Sequence, residues 1–230
     1  MVPVDAVCID RYEANLKRRQ EGGTLVSHPH YARPTSGVFV ASSEPGVRPQ
    51  AYISRIEAAS ACENAGKRLC TVTEWSHACR GSSDTTYPYG ATFVAGRCNV
   101  GRPHLLSILH GNNPKAWEYD DFNDPELDQR PGFLASTGEF SGCVSSNGAY
   151  DLVGNLHEWV SDRADASLAQ KLPLTEGLRR RLRANNGKGV FMGGFFSTTN
   201  QHGRGCEFVT MAHEPAYHDY STGFRCCADR

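Results

Sequence analysis

Residues 147–162, NGAYDLVGNLHEWVSD, crowd glycines, acids, amides, a histidine and a tryptophan into one short stretch. It is too polar for a core strand and too punctuated for a helix. Gly148 and Gly154 permit positive φ, and such bends turn successive carbonyls to one side. Asp151, Asn155 and Glu158 bring side-chain oxygens to the same turn. Carbonyl and carboxylate oxygens at this spacing suit a hard cation such as Ca²⁺, which takes about six to eight of them. They suit equally a tight polar turn held by Asx hydrogen bonds without an ion. Trp159 and Val160 read as the start of a buried strand.

Nine cysteines are the second chemical signal, at 8, 62, 70, 79, 98, 143, 206, 226 and 227. None forms a CxxC pair, so neither a zinc ribbon nor a thioredoxin motif is indicated. Cysteines dispersed through a mid-sized chain point to disulfides and an oxidising compartment, with a secreted, periplasmic or cell-surface location as the expectation. The odd count leaves one thiol unpaired or paired outside the chain. Cys226 and Cys227, adjacent on a final strand at 221–227, must point to opposite faces and so need different partners.

The elements that position these groups are short. Within 230 residues, 24 basic and 25 acidic side chains nearly cancel, so no nucleic-acid footprint is visible. No window approaches the roughly 20 apolar residues of a membrane span, and no basic-then-apolar leader opens the chain. Residues 2–12 alternate as a strand, and 14–53 read as loop with a short strand near 38–41. Two helices announce themselves by capping boxes, Ser54-x-x-Glu57 and Thr71-x-x-Glu74, stopped by Gly66 and Gly81. Ile56, Ala59, Cys62 and Ala65 mark the first inward face; Trp75, Ala78 and Cys79 mark the second. Tyr87-Pro88-Tyr89-Gly90 is a rigid aromatic turn. Residues 98–142 are irregular, and a stretch of that length marks a functional or braced loop. The basic run 178–183 reads as a solvated helix face, and 190–196 as a buried strand whose glycines admit close backbone approach. A single domain over 1–230 is expected.

Four blocks in order then show a resemblance: Ala61-Cys62 through Gly66-Lys67-Arg68-Leu69 to Thr73-Glu74-Trp75 and Cys79-Arg80-Gly81; Tyr87-Pro88-Tyr89-Gly90; Leu152-Val153-Gly154-Asn155 to Glu158-Trp159; and Gly193-Gly194 leading to Gly223-Phe224-Arg225-Cys226. Clearest over 54–230, they resemble the formylglycine-generating enzyme (sulfatase-modifying factor) family. The resemblance implies an α+β variant of the C-type-lectin-like fold, with little regular structure, two short helices and disulfide staples. It implies bridges Cys62–Cys226 and Cys79–Cys206. It also implies calcium at Asp151, Leu152, Gly154, Leu156 and Glu158, and a second calcium at Asn99, Val100 and Asp128. Cys98 and Cys143 flank the irregular loop and can close it. Cys8, Cys70 and Cys227 then leave one bridge and one thiol, with Cys8–Cys227, joining first and last strands, the preferred pairing.

The chain also departs from that family. Its enzymes bind copper through two cysteines shortly after the Gly-Gly strand, thiolates being soft ligands suited to Cu(I). Here 195–203 read FFSTTNQHG, without a cysteine. Formylglycine generation is therefore not expected. One reading is a non-catalytic binding or scaffolding module, its loops 99–142 and 196–220, with exposed Tyr217 and Tyr220, presented to a protein or glycan partner. The other is an Fe or Cu oxidoreductase built on His202, His213 and His218, near Cys206, Glu214 and Asp219 in the family's active-site segment. Against the latter, His213 and His218 are five apart in a loop, without helical geometry, and fit equally a loop whose imidazoles bond to backbone.

Overall fold

The computed structural model describes residues 1–198 and 203–230; His202 lies outside them. The N-terminal stretch is a hairpin and not one strand. β1 (Val2–Val4) and β2 (Val7–Ile9) pair antiparallel around Asp5, which adopts φ +50°. Residues 14–53 hold more strand than their composition suggests. β3 (Asn15–Arg19), β4 (Leu25–Ser27) and β5 (Val38–Ser42) form a three-stranded sheet with β3 central. Its outer positions face solvent: Leu25, Val26 and Val38 are exposed.

Both capping boxes are formed. Ser54 opens α1 (Arg55–Asn64), its hydroxyl accepting from the Glu57 amide while Glu57 accepts from the Ser54 amide; after β6 (Arg68–Leu69), Thr71 and Glu74 repeat this at the start of α2 (Val72–Arg80). On α2 the buried face includes Trp75, Ala78 and Cys79, as the pattern predicts. On α1 it is Ala58, Ala61 and Cys62, whereas Ile56 is 58% exposed. The bridge from Cys62 to Cys226 and the Arg55 Nε bond to the Val160 carbonyl fix how that helix rolls onto the core.

The irregular region contains α3 (Leu105–Leu109) and α4 (Tyr119–Phe122). Beyond the central motif come β7 (His157–Arg163), α5 (Leu168–Lys171), α6 (Glu176–Ala184) and β8 (Gly189–Met192). On α6 the basic run faces outward while Leu178 and Leu182 are buried. The chain closes with β9 (Val209–Thr210), β10 (Thr222–Phe224) and β11 (Cys226–Asp229).

Two four-stranded sheets carry the core, ordered β1-β2-β11-β6 and β10-β7-β8-β9. β10 runs parallel to β7, and the remaining pairs are antiparallel. The C-terminal segment therefore begins in one sheet and finishes in the other, crossing at Arg225, whose side chain is fully buried. Four disulfides lock this crossing and its surroundings: Cys62–Cys226, Cys70–Cys227, Cys79–Cys206 and Cys98–Cys143. The expected Cys8–Cys227 bridge is corrected, since Cys8 is the free thiol. The register gives the reason. Cys227 lies opposite Ile9 while Cys8 lies opposite Ala228, so the two sulfurs point to opposite faces of the sheet. No described helix is long and apolar enough to cross a membrane.

Candidate functional site

The central motif acts first as a structural hub. Asp151 and Asn155 take φ +60° and +57°, positions that amides and acids tolerate better than other side chains. The Asn155 amide oxygen accepts from Asn99 Nδ2 and the Ala135 amide, both at 2.9 Å. Its Nδ2 donates to Glu13 Oε2 at 2.5 Å. Glu13, wholly buried, also accepts from the Leu156 amide at 3.0 Å. One step along, Glu158 accepts from Arg225 Nε and Nη2 and from Trp75 Nε1, each at 2.6 Å. Arg225 further donates to the carbonyls of Asp10 and Tyr150. One guanidinium thus ties both ends of the chain to the motif. Burial pushes the Glu13 carboxyl well above its usual range, helped by the charges of Asp151 and Glu158. Burial likewise lifts Asp151 to about 7.

This geometry bears directly on calcium. The Glu158 carboxylate has three of its roughly four acceptor positions taken by a buried ion pair and an indole, so it does not fit the ligand role expected of it. Asp151 keeps one committed contact, from the Gly138 amide at 2.7 Å. Of the first set, Asp151 is the carboxylate left with acceptor positions not taken by an ion pair. The second set is not brought together. Asn99 Nδ2 donates to the Phe133 carbonyl and Asn155, and its Oδ1 accepts from Arg102 Nε. Asp128 sits in other surroundings, with Asp219 and Arg48 as its charged neighbours and neither carboxylate oxygen hydrogen-bonded. Among the described residues no group of three His, Cys, Asp or Glu is arranged to hold a metal ion.

The opposite face of β7 lines something different. Next to Glu158, His157 points away from Arg225, toward Phe191, Phe195 and Phe208, with ring centroids 4.5, 5.0 and 5.4 Å away. There a cleft of about 430 Å³ opens, and nine of its twelve lining residues carry rings. His213 stacks on Tyr217 at 3.8 Å and on Phe191 at 5.7 Å. His104 stacks on Trp117 and stands 6.2 Å from the Tyr220 ring. Asp219, 5% exposed, lies at its base and accepts from the Ser221 amide, the Ser221 hydroxyl and the Tyr217 hydroxyl. Burial holds His104 below the usual imidazole range. The same cause, with Lys188 adding to it, lowers His213 to about 4. A second cavity, of about 590 Å³, lies against the aromatic turn of Tyr87 and Tyr89 and holds fewer titratable groups.

Residues 8–230 match the sulfatase-modifying factor enzyme 1-like domain. The chain belongs to the sulfatase-modifying factor family. It is 28% identical to the mouse formylglycine-generating enzyme over 134 residues, covering 58% of this chain and 31% of that protein. It is 30% identical to the bovine inactive C-alpha-formylglycine-generating enzyme 2 over 122 residues, covering 52% and 34%. The chain thus spans about a third of the length of these relatives. PvdO from Pseudomonas aeruginosa shares the fold, with a TM-score of 0.51, 14% identity and coverage of 97% of this chain and 80% of that one.

Set against the family, the described residues offer no pair of thiolates, because eight of the nine cysteines are bridged. Cys206 is tied to Cys79, and Cys8 lies on the other sheet. His213 enters the cleft, but His218 Nδ1 lies 2.7 Å from Asn123 Oδ1 and its ring packs on Tyr119. Tyr220, expected on the surface, is 1% exposed and walls the cleft from within. Sequence reasoning flagged His213, Tyr217, Asp219 and Tyr220 but missed His104, Phe191 and His157 as partners. These stand on three distant elements, and no spacing signal joins them.

Proposed function

We propose that this chain is a non-catalytic recognition module of the sulfatase-modifying factor family, matured in an oxidising compartment and working outside the cytosol, with the aromatic cleft as its binding surface. The observation that carries the reading is convergence. The two loop regions expected to meet a partner, 99–142 and 196–220, supply His104, Tyr119, Phe122, His213, Tyr217, Asp219 and Tyr220 to one cleft. The bridged cysteines support the non-catalytic half. Copper chemistry of the family's kind needs two reduced sulfurs after Gly194, and the only cysteine in that segment is half of a disulfide. Similarity to inactive relatives points the same way.

Calcium enters this reading in reduced form. One carboxylate, Asp151, with the carbonyls of Leu152, Gly154 and Leu156, makes a site of low charge, and affinity for Ca²⁺ falls with ligand charge. Such an ion assists the turn but does not hold the fold.

Two experiments test the proposal. A glycan and peptide array probed with the wild type and with Tyr119→Ala/His213→Ala should show signals that the double variant loses. A cysteine-containing peptide incubated with the protein, Cu(I) and O₂ should yield no aldehyde. Aldehyde formation, or stoichiometric copper or iron that His213→Ala abolishes, would overturn the non-catalytic reading.

A further inference from the structure

The cleft beside β7 is not a neutral apolar groove, and its charge pattern narrows what fits. Among the described residues no lysine or arginine lines it; the nearest cation acting on it is Lys188, whose charge reaches His213 and whose Nζ is paired with Glu214. Burial lowers the His104 and His213 imidazoles, with Lys188 adding to the effect on His213, and the rings act as flat aromatic walls. Asp219 is the one acid in the lining. Three donors hold its carboxylate and offset the burial that pushes it above the usual carboxylate range, and no ion pair to it forms among the described residues. Behind it lies a second buried acid, Asp128, and burial together with the Asp219 charge pushes Asp128 up. Arg48 is the cation that acts on Asp128.

Ring faces attract cations because the π-system carries a negative face. The attraction is largest where water is excluded, and quaternary ammonium groups are the ligands such boxes take. Tyr217 and His213, stacked at 3.8 Å, make one wall; His104 and Tyr220 make another; Tyr119 stands at the rim, 47% exposed. A volume of about 430 Å³ admits a small ligand and not a folded chain.

Resting on the recognition-module reading above, the geometry points to a small organic cation, a methylated or quaternary ammonium group, as the ligand of this cleft, seated among His213, Tyr217, His104 and Tyr220 over Asp219. The cation is seated by the rings and by the field of the acid below, with no bond made or broken. The same chemistry is carried by a free metabolite and by a lipid headgroup.

Isothermal titration of the full chain with choline chloride, with its uncharged isostere 3,3-dimethylbutan-1-ol and with a neutral disaccharide tests this. Phosphatidylcholine vesicles form a fourth arm. Choline is expected to bind at least ~10-fold more tightly than the isostere. Tyr119→Ala should weaken choline several-fold while leaving the melting temperature in place. His213→Lys, which puts an ammonium into the cleft, should abolish binding, with an unchanged circular dichroism spectrum showing that the fold persists. Vesicle binding equal to that of free choline assigns the lipid source; binding of choline alone assigns a soluble one. If the isostere or the disaccharide binds as tightly as choline, the charge inference falls and the binding cleft stands. If choline does not bind at all, the inference falls, and the array experiment decides the reading beneath it.

Discussion

His157 and Glu158 are neighbours on one strand, and their surroundings are opposites. On the Glu158 side the charges are answered: Arg225 closes on the carboxylate from two nitrogens, Trp75 from a third, and the arginine also reaches the main-chain carbonyls of Asp10 and Tyr150. On the His157 side, rings face a volume that the protein leaves open, and the buried Nδ1 of His104 has no hydrogen-bond partner among the described residues. Strand alternation separates the two environments by one residue. The contrast teaches that the motif looking most like a ligand site from its composition is the internal brace. The surface for visitors is assembled from scattered aromatic residues.

The contrast can be broken most severely at Arg225. Arg225→Met leaves Glu158 buried and unpaired, which costs about 3–5 kcal/mol. Thermal denaturation should show a fall on the order of 10 °C for a chain of this size. Next is the Cys70–Cys227 staple: the double substitution to alanine should cost roughly 2–5 kcal/mol by chemical denaturation, with choline binding retained in whatever fraction remains folded.

Acidification probes the cleft side. Burial holds His213 down to about 4 in the folded chain, against 6.5 for a free imidazole. Between those values the unfolded chain binds more protons, so the stability contributed by this group is present above about pH 6.5 and is lost as pH falls toward 4. A melting temperature that falls more, or rises less, over this window in the wild type than in His213→Phe is the expected result, because Asp151, lifted to about 7, takes up its proton in the folded chain and works in the opposite direction. Chelation should matter less. EDTA is expected to shift the melting temperature by under ~2 °C, since a low-charge site contributes only through weak linkage. A large shift would make calcium, and not Arg225, the brace of the hub. Smallest of all is Tyr119→Ala, expected within about 0.5 kcal/mol of wild-type stability because the ring is at the surface.

How much of this was legible in the sequence follows from how local each signal is. Both capping boxes and the inward face of α2 were readable, because a cap and a helical stripe are written within a few residues. Two family disulfides followed from motif resemblance, and Cys98–Cys143 from its position around the irregular loop. The third long bridge was misread because strand register decides it, and register between residues 7–9 and 226–229 leaves no mark in either segment alone. β3 was missed because NLKRR carries one apolar side chain, and the sheet it centres faces solvent at several positions. A carboxylate beside a glycine turn, such as Glu158, looks the same in sequence whether a metal or a distant arginine answers it, and here Arg225 pairs with it.

The cross-links also set a timetable for synthesis. Cys62, Cys70 and Cys79 leave the ribosome early, but their partners Cys226, Cys227 and Cys206 stand 164, 157 and 127 positions downstream. At about 5–20 residues per second, the first of these thiols waits roughly 8–30 s for its mate. During that interval three nearby sulfhydryls are within reach of one another and of Cys98. Any pair formed in that interval must be undone by thiol exchange before the native set can form, so a host with poor isomerase activity is expected to yield more scrambled isomers, readable by non-reducing peptide mapping.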